Sequence, residues 1–314
     1  MNPTILLIGL GHVGGAVLDL LAREPEVLNY QVYSGTAAPY NFNGLVRHYF
    51  LRNESHMADI QVNLVAKDER ELQSHDIAKR IRQKIQQLSK ECGAHVKVAE
   101  VPPGPPVLQT VVAEIYGPDY AEQIRIADDI RHMFEQTPGV VDVDWYVEAD
   151  QPRLVFRFDQ EKAARHGVSA EHVAAVVRIA QAGATAGLLH APGEREDVSI
   201  RVRLPIEQRA QPGELLPLPV CGNSGHCVPL GEVVRMEETV REQSIYRKNR
   251  QRVVYVTGDV AGEEESPIYA LLKLNDRIEN YIPQGREAPL EVWNIQQPFS
   301  TQLPSMKWDG EWHI

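Results

Sequence analysis

Apolar and polar positions alternate between two periods along the chain, and together they predict a repeated β-α-β order. A period of two residues is typical of a half-buried strand, and a period near 3.6 is typical of a helix. The strand, helix and strand of the two copies fall at 58–66, 68–92 and 95–101, and at 108–116, 119–136 and 140–147. The proline-rich stretch at 102–106 separates the copies, because proline lacks the N–H that a sheet needs. The pattern therefore predicts a duplicated α+β architecture.

The helical stretches each have one apolar face and recognisable starts. Ile77, Ile81 and Ile85 recur every four residues, which places them on one side of a helix. Asp119 precedes the next helix with the spacing of an N-cap residue. Ser266 is followed by proline and predicts the start of a third helix. These signals predict three helices that pack on one side of a sheet.

Between residues 160 and 242 the pattern changes, which predicts an inserted lobe. A helix capped by Ser169 leads into a glycine- and alanine-rich turn, further strands and a proline-rich stretch at 205–219. The strand near Ile245 is expected to complete the sheet left at Phe158, so the intervening residues form a lobe of their own. The predicted divisions are 1–106, then 107–158 with 243–300, an insertion at 159–242, and a C-terminal segment at 301–314.

Composition narrows the classes of protein that the chain can belong to. Its 314 residues suit about two domains, and a formal charge of −11 argues against a nucleic-acid partner. The densest basic run, 247–252, and the acidic residues between 142 and 150 are both expected to lie on solvated faces. The most apolar stretch, 5–22, contains charged and glycine residues and is a poor membrane span.

A glycine fingerprint near the N-terminus offers one functional alternative. Gly9, Gly11 and Gly14 have the GxGxxG spacing that lets a pyrophosphate approach a helix N-terminus. The strand predicted at 28–33, however, does not end in the acidic residue that holds a ribose hydroxyl. An NAD(P)-binding oxidoreductase is therefore kept as an alternative.

Cys221 and Cys227 flank a predicted hairpin turn. A turn at 222–225 would bring the two sulfurs together, and they would form a disulfide in an oxidising compartment. A reduced, inert pair is the alternative. A metal site needs three or four ligands, and only His226 lies nearby.

The long loop at residues 35–57 is unusually aromatic for a connection between strands. Four rings, three basic side chains and one methionine lie in it: Tyr40, Phe42, Tyr49, Phe50, Arg47, His48, Arg52 and Met57. Such a surface suits apolar or cationic ligands, but the rings could equally pack beneath the loop. No arrangement typical of a catalytic triad, a metalloprotease or a phosphate-binding loop is present, so the sequence predicts no enzyme.

Longer strings of sequence resemble the permease subunit of resistance–nodulation–division (RND) efflux pumps, in particular the large periplasmic loop of its second half. The matching strings are PEV (25–27), NFNGLVRHYFLR (41–52), ADIQVNL (58–64), QSHDIAKRIR (73–82), EVPPGPPVLQTVVAEIYGP (100–118), VSAEHVAAVV (168–177), NRQRVVYVTGDV (249–260) and MKWDGEW (306–312). Residues 1–24 depart from the family, although 16–23 are expected to supply a helix.

The resemblance implies two ferredoxin-like β-α-β sandwich subdomains, called porter subdomains, with an inserted α/β docking lobe in the second. It implies a homotrimeric, proton-driven antiporter at the periplasmic face of the bacterial inner membrane that passes small-molecule cargo outward and contributes to multidrug resistance. A periplasmic adaptor protein and an outer-membrane channel are the implied partners, and no cofactor is implied. Residues 301–314 would lead toward a membrane helix.

The same resemblance gives the residues of the 35–57 loop a role. The family lines its substrate path there, so Tyr40, Phe42, His48, Tyr49, Phe50 and Met57 are the candidates for cargo contact. Heavy-metal members carry a methionine cluster in the porter region, whereas here that region has only Met57 and Met133, which argues against metal cargo. A soluble adaptor or scaffold without a small ligand is a further alternative.

Overall fold

The computed structural model describes residues 11–91, 93–100, 107–261 and 266–311, and its chain divides into two compact units. The larger unit comprises Met1–Val147 and Ser244–Ile314, and the smaller comprises Glu148–Gln243. Within the larger unit we call residues 11–100 the first half, and residues 107–147 with 244–311 the second half.

The first half is a two-stranded ribbon covered by helices. Its elements are α1 (Gly11–Leu21), β1 (Val27–Ser34), α2 (Phe42–Val46), β2 (Ala58–Leu64) and α3 (Ser74–Glu91). Short 3₁₀ turns occupy Tyr49–Leu51 and Lys67–Glu69. β1 and β2 pair antiparallel. The buried core lies between the ribbon, α1 and α3, and consists of Val17, Leu18, Leu21, Ile77, Ile81 and Ile85.

Two predictions for the first half have different outcomes. The helix expected at 16–23 is present as part of α1, and its apolar residues pack against α3. The strand expected at 95–101 is wrong over residues 95–100, which form no strand. Val96 and Val98 still pack against the core. The alternation of apolar and polar residues at 95–100 therefore arises from burial of one side of a segment that does not pair in a sheet.

The second half begins with β3 (Val111–Tyr116), α4 (Tyr120–Glu135) and β4 (Val140–Trp145). The Asp119 carboxylate accepts a hydrogen bond from the Glu122 backbone N–H at 2.8 Å, which confirms the predicted cap. The Glu122 carboxylate accepts from Arg286 instead of returning to the cap backbone.

The smaller unit contains three two-stranded ribbons with short helices. Its elements are β5 (Pro152–Phe158), α5 (Gln160–His166), α6 (Ala170–Ala182), β6 (Ala184–Leu189), β7 (Val198–Val202), α7 (Ile206–Arg209), β8 (Pro219–Cys221), β9 (Cys227–Pro229), α8 (Leu230–Val233) and β10 (Val234–Val240), with a 3₁₀ turn at Pro212–Leu215. The pairs β5–β10, β6–β7 and β8–β9 are all antiparallel. Ser169 caps α6 in a reciprocal arrangement with His172.

The predicted limits of the insertion differ from the compact unit. β5 was expected to belong to the sheet of the second half, but it pairs with β10 inside the smaller unit. The unit therefore begins at Glu148 and not at residue 159. The sequence could not predict the pairing of β5 with β10, because the apolar pattern of a strand does not indicate which other strand it pairs with.

The chain returns to the second half with β11 (Arg247–Lys248), β12 (Gln251–Arg252), β13 (Val254–Val260), α9 (Pro267–Ile278), β14 (Glu291–Trp293) and β15 (Ser305–Gly310). The main sheet has the order β14-β15-β3-β13-β4 and is antiparallel except for the pair β14–β15. α4 and α9 pack with the core on one face of this sheet. Part of the segment predicted at 301–314 thus forms an interior strand, β15. The α+β fold class is confirmed.

Of the two charged runs that were expected on solvated faces, the acidic run includes the buried Asp142, so that expectation is wrong there. The basic run is exposed at Arg247, Asn249 and Arg250 and half-buried at its other positions. Within the acidic run, the side chain of Asp142 is 1% exposed and accepts from Arg82 Nε at 3.0 Å. Within the basic run, Lys248 pairs with Asp309 at 2.6 Å, and the Arg252 guanidinium lies 4.8 Å from the centre of the Tyr120 ring. A run of charged residues in the sequence does not indicate which distant residues its members pair with after folding.

Candidate functional site

The 35–57 loop leaves β1 and returns to β2 at nearly the same point. The backbone N–H of Gly35 donates to the carbonyl of Met57 at 3.0 Å, which closes the loop at its base. Gly35 has φ +65°, a conformation that favours glycine. The loop is therefore a defined excursion from an antiparallel ribbon, with α2 and a 3₁₀ turn inside it.

Three of the predicted residues form an aromatic cluster in this loop. The ring centres of Tyr40 and Phe50 are 6.2 Å apart, and those of His48 and Phe50 are 6.0 Å apart. Tyr40 is 77% exposed, while the other two are half-buried. Separations of 4.5–7 Å are typical of interacting aromatic pairs. The cluster thus presents aromatic surface to solvent from a fixed position.

His48 has an unusual backbone conformation that places it within the cluster. It precedes the 3₁₀ turn with φ 58° and ψ 27°, in the left-handed region that few non-glycine residues adopt. Burial lowers the pKa of its imidazole, because removing water disfavours the charged form. The structure therefore favours a neutral imidazole beside the two rings.

Tyr49 and Met57 occupy other parts of the loop. Tyr49 is half-buried, and burial raises the pKa of its hydroxyl despite the opposing charge of Arg47. Met57 is half-buried, and its backbone closes the loop. α2 begins at Phe42, whose side chain lies outside the described residues. Of the six residues predicted to contact cargo, Tyr40, His48 and Phe50 form the cluster, while Tyr49 and Met57 lie elsewhere in the loop.

The arginines of the loop hold it in place. The side chain of Arg47 is 4% exposed, and its Nη1 lies 3.8 Å from Oδ2 of Asp259 on β13. Its Nε and Nη1 have no hydrogen-bond acceptor among the described residues. Arg52 donates to Asp59 on β2 at 2.6 Å. These ion pairs attach the loop to β2 and to the second half.

A buried ionic network lies on the face of the main sheet opposite α4 and α9, and sequence reasoning missed it. Glu114 is 0% exposed and accepts from Lys248 and, at 2.8 Å, from the hydroxyl of Tyr116. Burial raises the pKa of Glu114. Burial also opposes ionisation of Asp309, but its interactions with Glu114 and with Lys248, which donates to it, lower the pKa of Asp309 to about 2. The single carboxylate in the otherwise apolar strand β3 was the available signal.

The cysteine pair lies in the smaller unit. β8 and β9 bring Cys221 opposite Cys227, and a disulfide joins them across a Cα–Cα distance of 3.9 Å. The geometry is that of a tight hairpin whose two strands are covalently closed. It is the arrangement that the sequence allowed for an oxidising compartment.

The glycine fingerprint has an unfavourable setting for a dinucleotide. Gly9 lies outside the described residues, while Gly11 begins α1 and Gly14 lies within its first turns. The following strand β1 pairs antiparallel with β2, whereas a dinucleotide-binding unit has parallel strands. The structure gives no support to the oxidoreductase alternative.

Two further properties of the described residues bear on the site. They contain no group of three or more His, Cys, Asp or Glu side chains arranged to hold a metal ion. Met133 packs against the core of the second half, away from any role as an exposed ligand. In the same part of the chain, no helix has the length and apolar character needed to cross a membrane.

Comparisons with curated proteins give several relatives, some of which are named for metal resistance. The chain is 32% identical over 163 residues to the nickel and cobalt resistance protein CnrA of Cupriavidus metallidurans, which is 50% of this chain and 15% of CnrA. It is 28% identical over 184 residues to protein HelA of Legionella pneumophila, 57% of this chain and 17% of HelA. The cobalt-zinc-cadmium resistance protein CzcA of C. metallidurans is 24% identical over 161 residues, 50% of this chain and 15% of CzcA. The aligned parts thus span less than a fifth of these relatives.

The fold and the family agree with these relatives. The X-ray crystal structure of a heavy metal efflux pump superposes with a TM-score of 0.66 and 18% identity, covering 99% of this chain and 30% of the pump. At this identity the likeness establishes the fold alone. Residues 21–287 match the AcrB/AcrD/AcrF family, which is a family of transporters. The chain therefore belongs to the AcrB/AcrD/AcrF family of RND efflux permeases.

Proposed function

We propose that this chain is the porter and docking portion of a proton-driven RND efflux permease. The family match over residues 21–287 is the observation that supports this proposal most strongly. In the proposal the two halves of the larger unit are the porter subdomains, and the smaller unit is the docking lobe. The permease is a homotrimer in the inner membrane, and its periplasmic face meets an adaptor protein and an outer-membrane channel.

The aromatic cluster of the 35–57 loop is the proposed contact for cargo. Tyr40 and Phe50 offer ring faces, and a cation over such a face gains about 0.5–2 kcal/mol. The neutral imidazole favoured at His48 does not repel a cationic ligand. Since Arg47 and Arg52 are paired with carboxylates, neither guanidinium is an unpaired charge beside the rings, although the Arg52 side chain remains 40% exposed. An aromatic cation is the small-molecule cargo that fits this surface.

The relatives favour a second candidate cargo. CnrA and CzcA are named for resistance to nickel, cobalt, zinc and cadmium. In the same loop His48 and Met57 supply an imidazole and a thioether, which are ligands for soft and borderline divalent metals. A divalent metal ion is therefore the alternative cargo for the same loop.

Binding measurements on the 314-residue chain separate the two candidates. We expect rhodamine 6G, a cationic aromatic dye, to bind saturably, and Tyr40→Ala or Phe50→Ala to weaken it about three- to tenfold. Phe299→Ala is the matched control, because Phe299 is an aromatic residue that is 82% exposed outside the loop. If the control weakens dye binding as much as the loop variants do, the loop is not the contact.

Ni²⁺ binding tests the proposal that the cargo is a divalent metal ion. It predicts that His48→Asn and Met57→Leu weaken Ni²⁺ binding about tenfold or more, while Phe50→Ala leaves it unchanged. Absence of saturable binding for both dye and Ni²⁺ would favour the scaffold alternative. Saturable NADH binding that disappears in Gly11→Val would instead restore the oxidoreductase alternative.

A further inference from the structure

Two histidines of the smaller unit lie side by side in a position that the proposed transport function does not use. The rings of His166 and His226 have centres 6.3 Å apart and planes inclined by 18°. His166 is half-buried at the end of α5, and His226 is exposed on the hairpin between β8 and β9. Neither imidazole hydrogen-bonds or forms an ion pair with another side chain in the described part of the chain.

Backbone contacts bring these two histidines together. The N–H of Asn223 donates to the carbonyl of Gly167 at 3.3 Å, which attaches the hairpin to the end of α5. At Gly222 an added Cβ would lie 2.6 Å from the carbonyl oxygens of both His166 and Gly167. Only glycine therefore permits this approach, and the pairing of the rings follows from how the hairpin sits on the helix.

The hairpin itself is fixed at both ends of its turn. The N–H of Gly222 donates to the carbonyl of His226 at 2.9 Å, and the Cys221–Cys227 disulfide closes the strands next to it. A closed loop of this kind has fewer alternative conformations than an open one. The backbone of His226 is consequently held in place while its exposed side chain can still rotate.

We propose that His166 and His226 form a two-imidazole site for a divalent first-row transition-metal ion, with water completing the coordination. Imidazole suits Ni²⁺, Cu²⁺ and Zn²⁺, whereas Mg²⁺ and Ca²⁺ prefer oxygen ligands. A metal–nitrogen bond of about 2.0–2.1 Å puts each ring centre about 3 Å from the ion, so the two centres lie about 6 Å apart in a linear arrangement and about 5 Å apart in a tetrahedral one. The 6.3 Å separation therefore has to shorten by about 1 Å when a tetrahedral ion binds, through rotation of the exposed His226 side chain.

The site differs from a structural zinc site in the number of protein ligands. A structural site closes around its ion with four protein ligands, and this pair supplies two. The ion would therefore exchange with solvent, and its affinity should follow the general order Co²⁺ < Ni²⁺ < Cu²⁺. The site lies in the smaller unit and is independent of the aromatic loop.

The test is Ni²⁺ titration of the 314-residue chain, with Mg²⁺ as the hard-cation control. We expect His166→Asn and His226→Asn each to weaken Ni²⁺ binding at least tenfold. His190→Asn is the matched control, because His190 is an exposed histidine of the same unit and should leave the affinity unchanged. The assignment is overturned if both site variants bind Ni²⁺ within twofold of the parent chain, or if the control weakens binding equally.

A second measurement needs no substitution at the histidines. Paramagnetic Ni²⁺ should broaden the ring proton signals of His166 and His226 before those of His190, and broadening that spares the two rings overturns the site. The double variant Cys221→Ser with Cys227→Ser removes the cross-link without leaving thiolates, and it should weaken binding. Unchanged affinity in it would overturn the positioning role of the disulfide. Dye binding reports on the loop alone, and repeating the Ni²⁺ titration in the double variant His48→Asn with Met57→Leu removes the metal ligands of the loop, so either proposal can fail alone.

Discussion

The two halves of the larger unit share a β-α-β pattern in the sequence but bury their strands to different degrees. Every residue of β3 in the second half is at most 1% exposed. In β1 and β2 of the first half, no residue is fully buried. A five-stranded sheet supports the second half, whereas the first half has a two-stranded ribbon that α1 and α3 cover. A repeated pattern therefore does not guarantee an equally complete sheet.

The first half is held partly by polar contacts with the second. Arg82 of α3 donates to Asp142 of β4, and the backbone N–H of Val98 donates to the same carboxylate at 3.2 Å. Lys97 pairs with Asp144 at 2.6 Å. Asp142 has φ 49°, so its strand is locally distorted where the carboxylate meets its partners. The less complete half thus depends on contacts that its own apolar pattern does not contain.

Truncating a buried isoleucine in the central helix of each half should show most clearly that the two halves differ in how much stability their cores contribute. Ile130 on α4 is 0% exposed, and Ile81 on α3 is 5% exposed. We expect Ile130→Ala to cost about 4 kcal/mol of unfolding free energy and Ile81→Ala about 2 kcal/mol, because a thinner layer can relax around the cavity. Urea unfolding of both variants measures the difference. An equal or larger loss for Ile81→Ala would contradict the comparison.

The buried contact between the halves should give the next largest effect. Asp142→Asn keeps the side-chain shape and tolerates the positive φ, but it removes the nearer of the two carboxylates that pair with the buried Arg82 and leaves Glu100, at 3.7 Å. We expect a loss of about 3 kcal/mol by urea unfolding. Asp144→Asn is the control, because its pair with Lys97 is roughly one-third exposed and should cost less than about 1 kcal/mol. Similar losses in both variants would show that burial of the ion pair does not determine how much unfolding free energy the substitution costs.

The smallest expected effect is a pH dependence at His48. Burial lowers the pKa of this imidazole, so the folded chain binds the proton less tightly than the unfolded chain. The contribution to stability is complete above the ordinary histidine pKa and is lost as the pH falls toward the lowered value. His48→Asn tolerates the left-handed backbone and removes the titrating group. Urea midpoints at about pH 7.5 and about pH 5 should therefore converge in the variant. A parent chain whose stability falls no more than the variant's would rule this out.

Several features of the fold could be predicted because they depend on local chemistry. The caps at Asp119 and Ser169 need only a side-chain oxygen and a backbone N–H a few residues away. The apolar face of α3 follows from the spacing of its isoleucines. The hairpin that brings Cys221 to Cys227 follows from a short glycine-containing turn.

The candidate site was predictable only in outline. The sequence indicated an aromatic loop at 35–57, but it could not say that Tyr40, His48 and Phe50 would form the cluster. Nor could it place His166 beside His226, since these residues are 60 positions apart. Contacts of this kind are set by where whole elements pack.

The sequence by itself determined the periods of the helices and strands, their local caps, the α+β class and the family. Tertiary structure alone decided that β5 pairs inside the smaller unit, that residues 95–100 pack without joining a sheet, and that Glu114 and Asp142 are buried with cationic partners. The physical reason is the distance along the chain over which each effect acts. Period and capping act within a few residues, whereas strand partners and charge pairs depend on residues that are distant in the chain and meet only after folding.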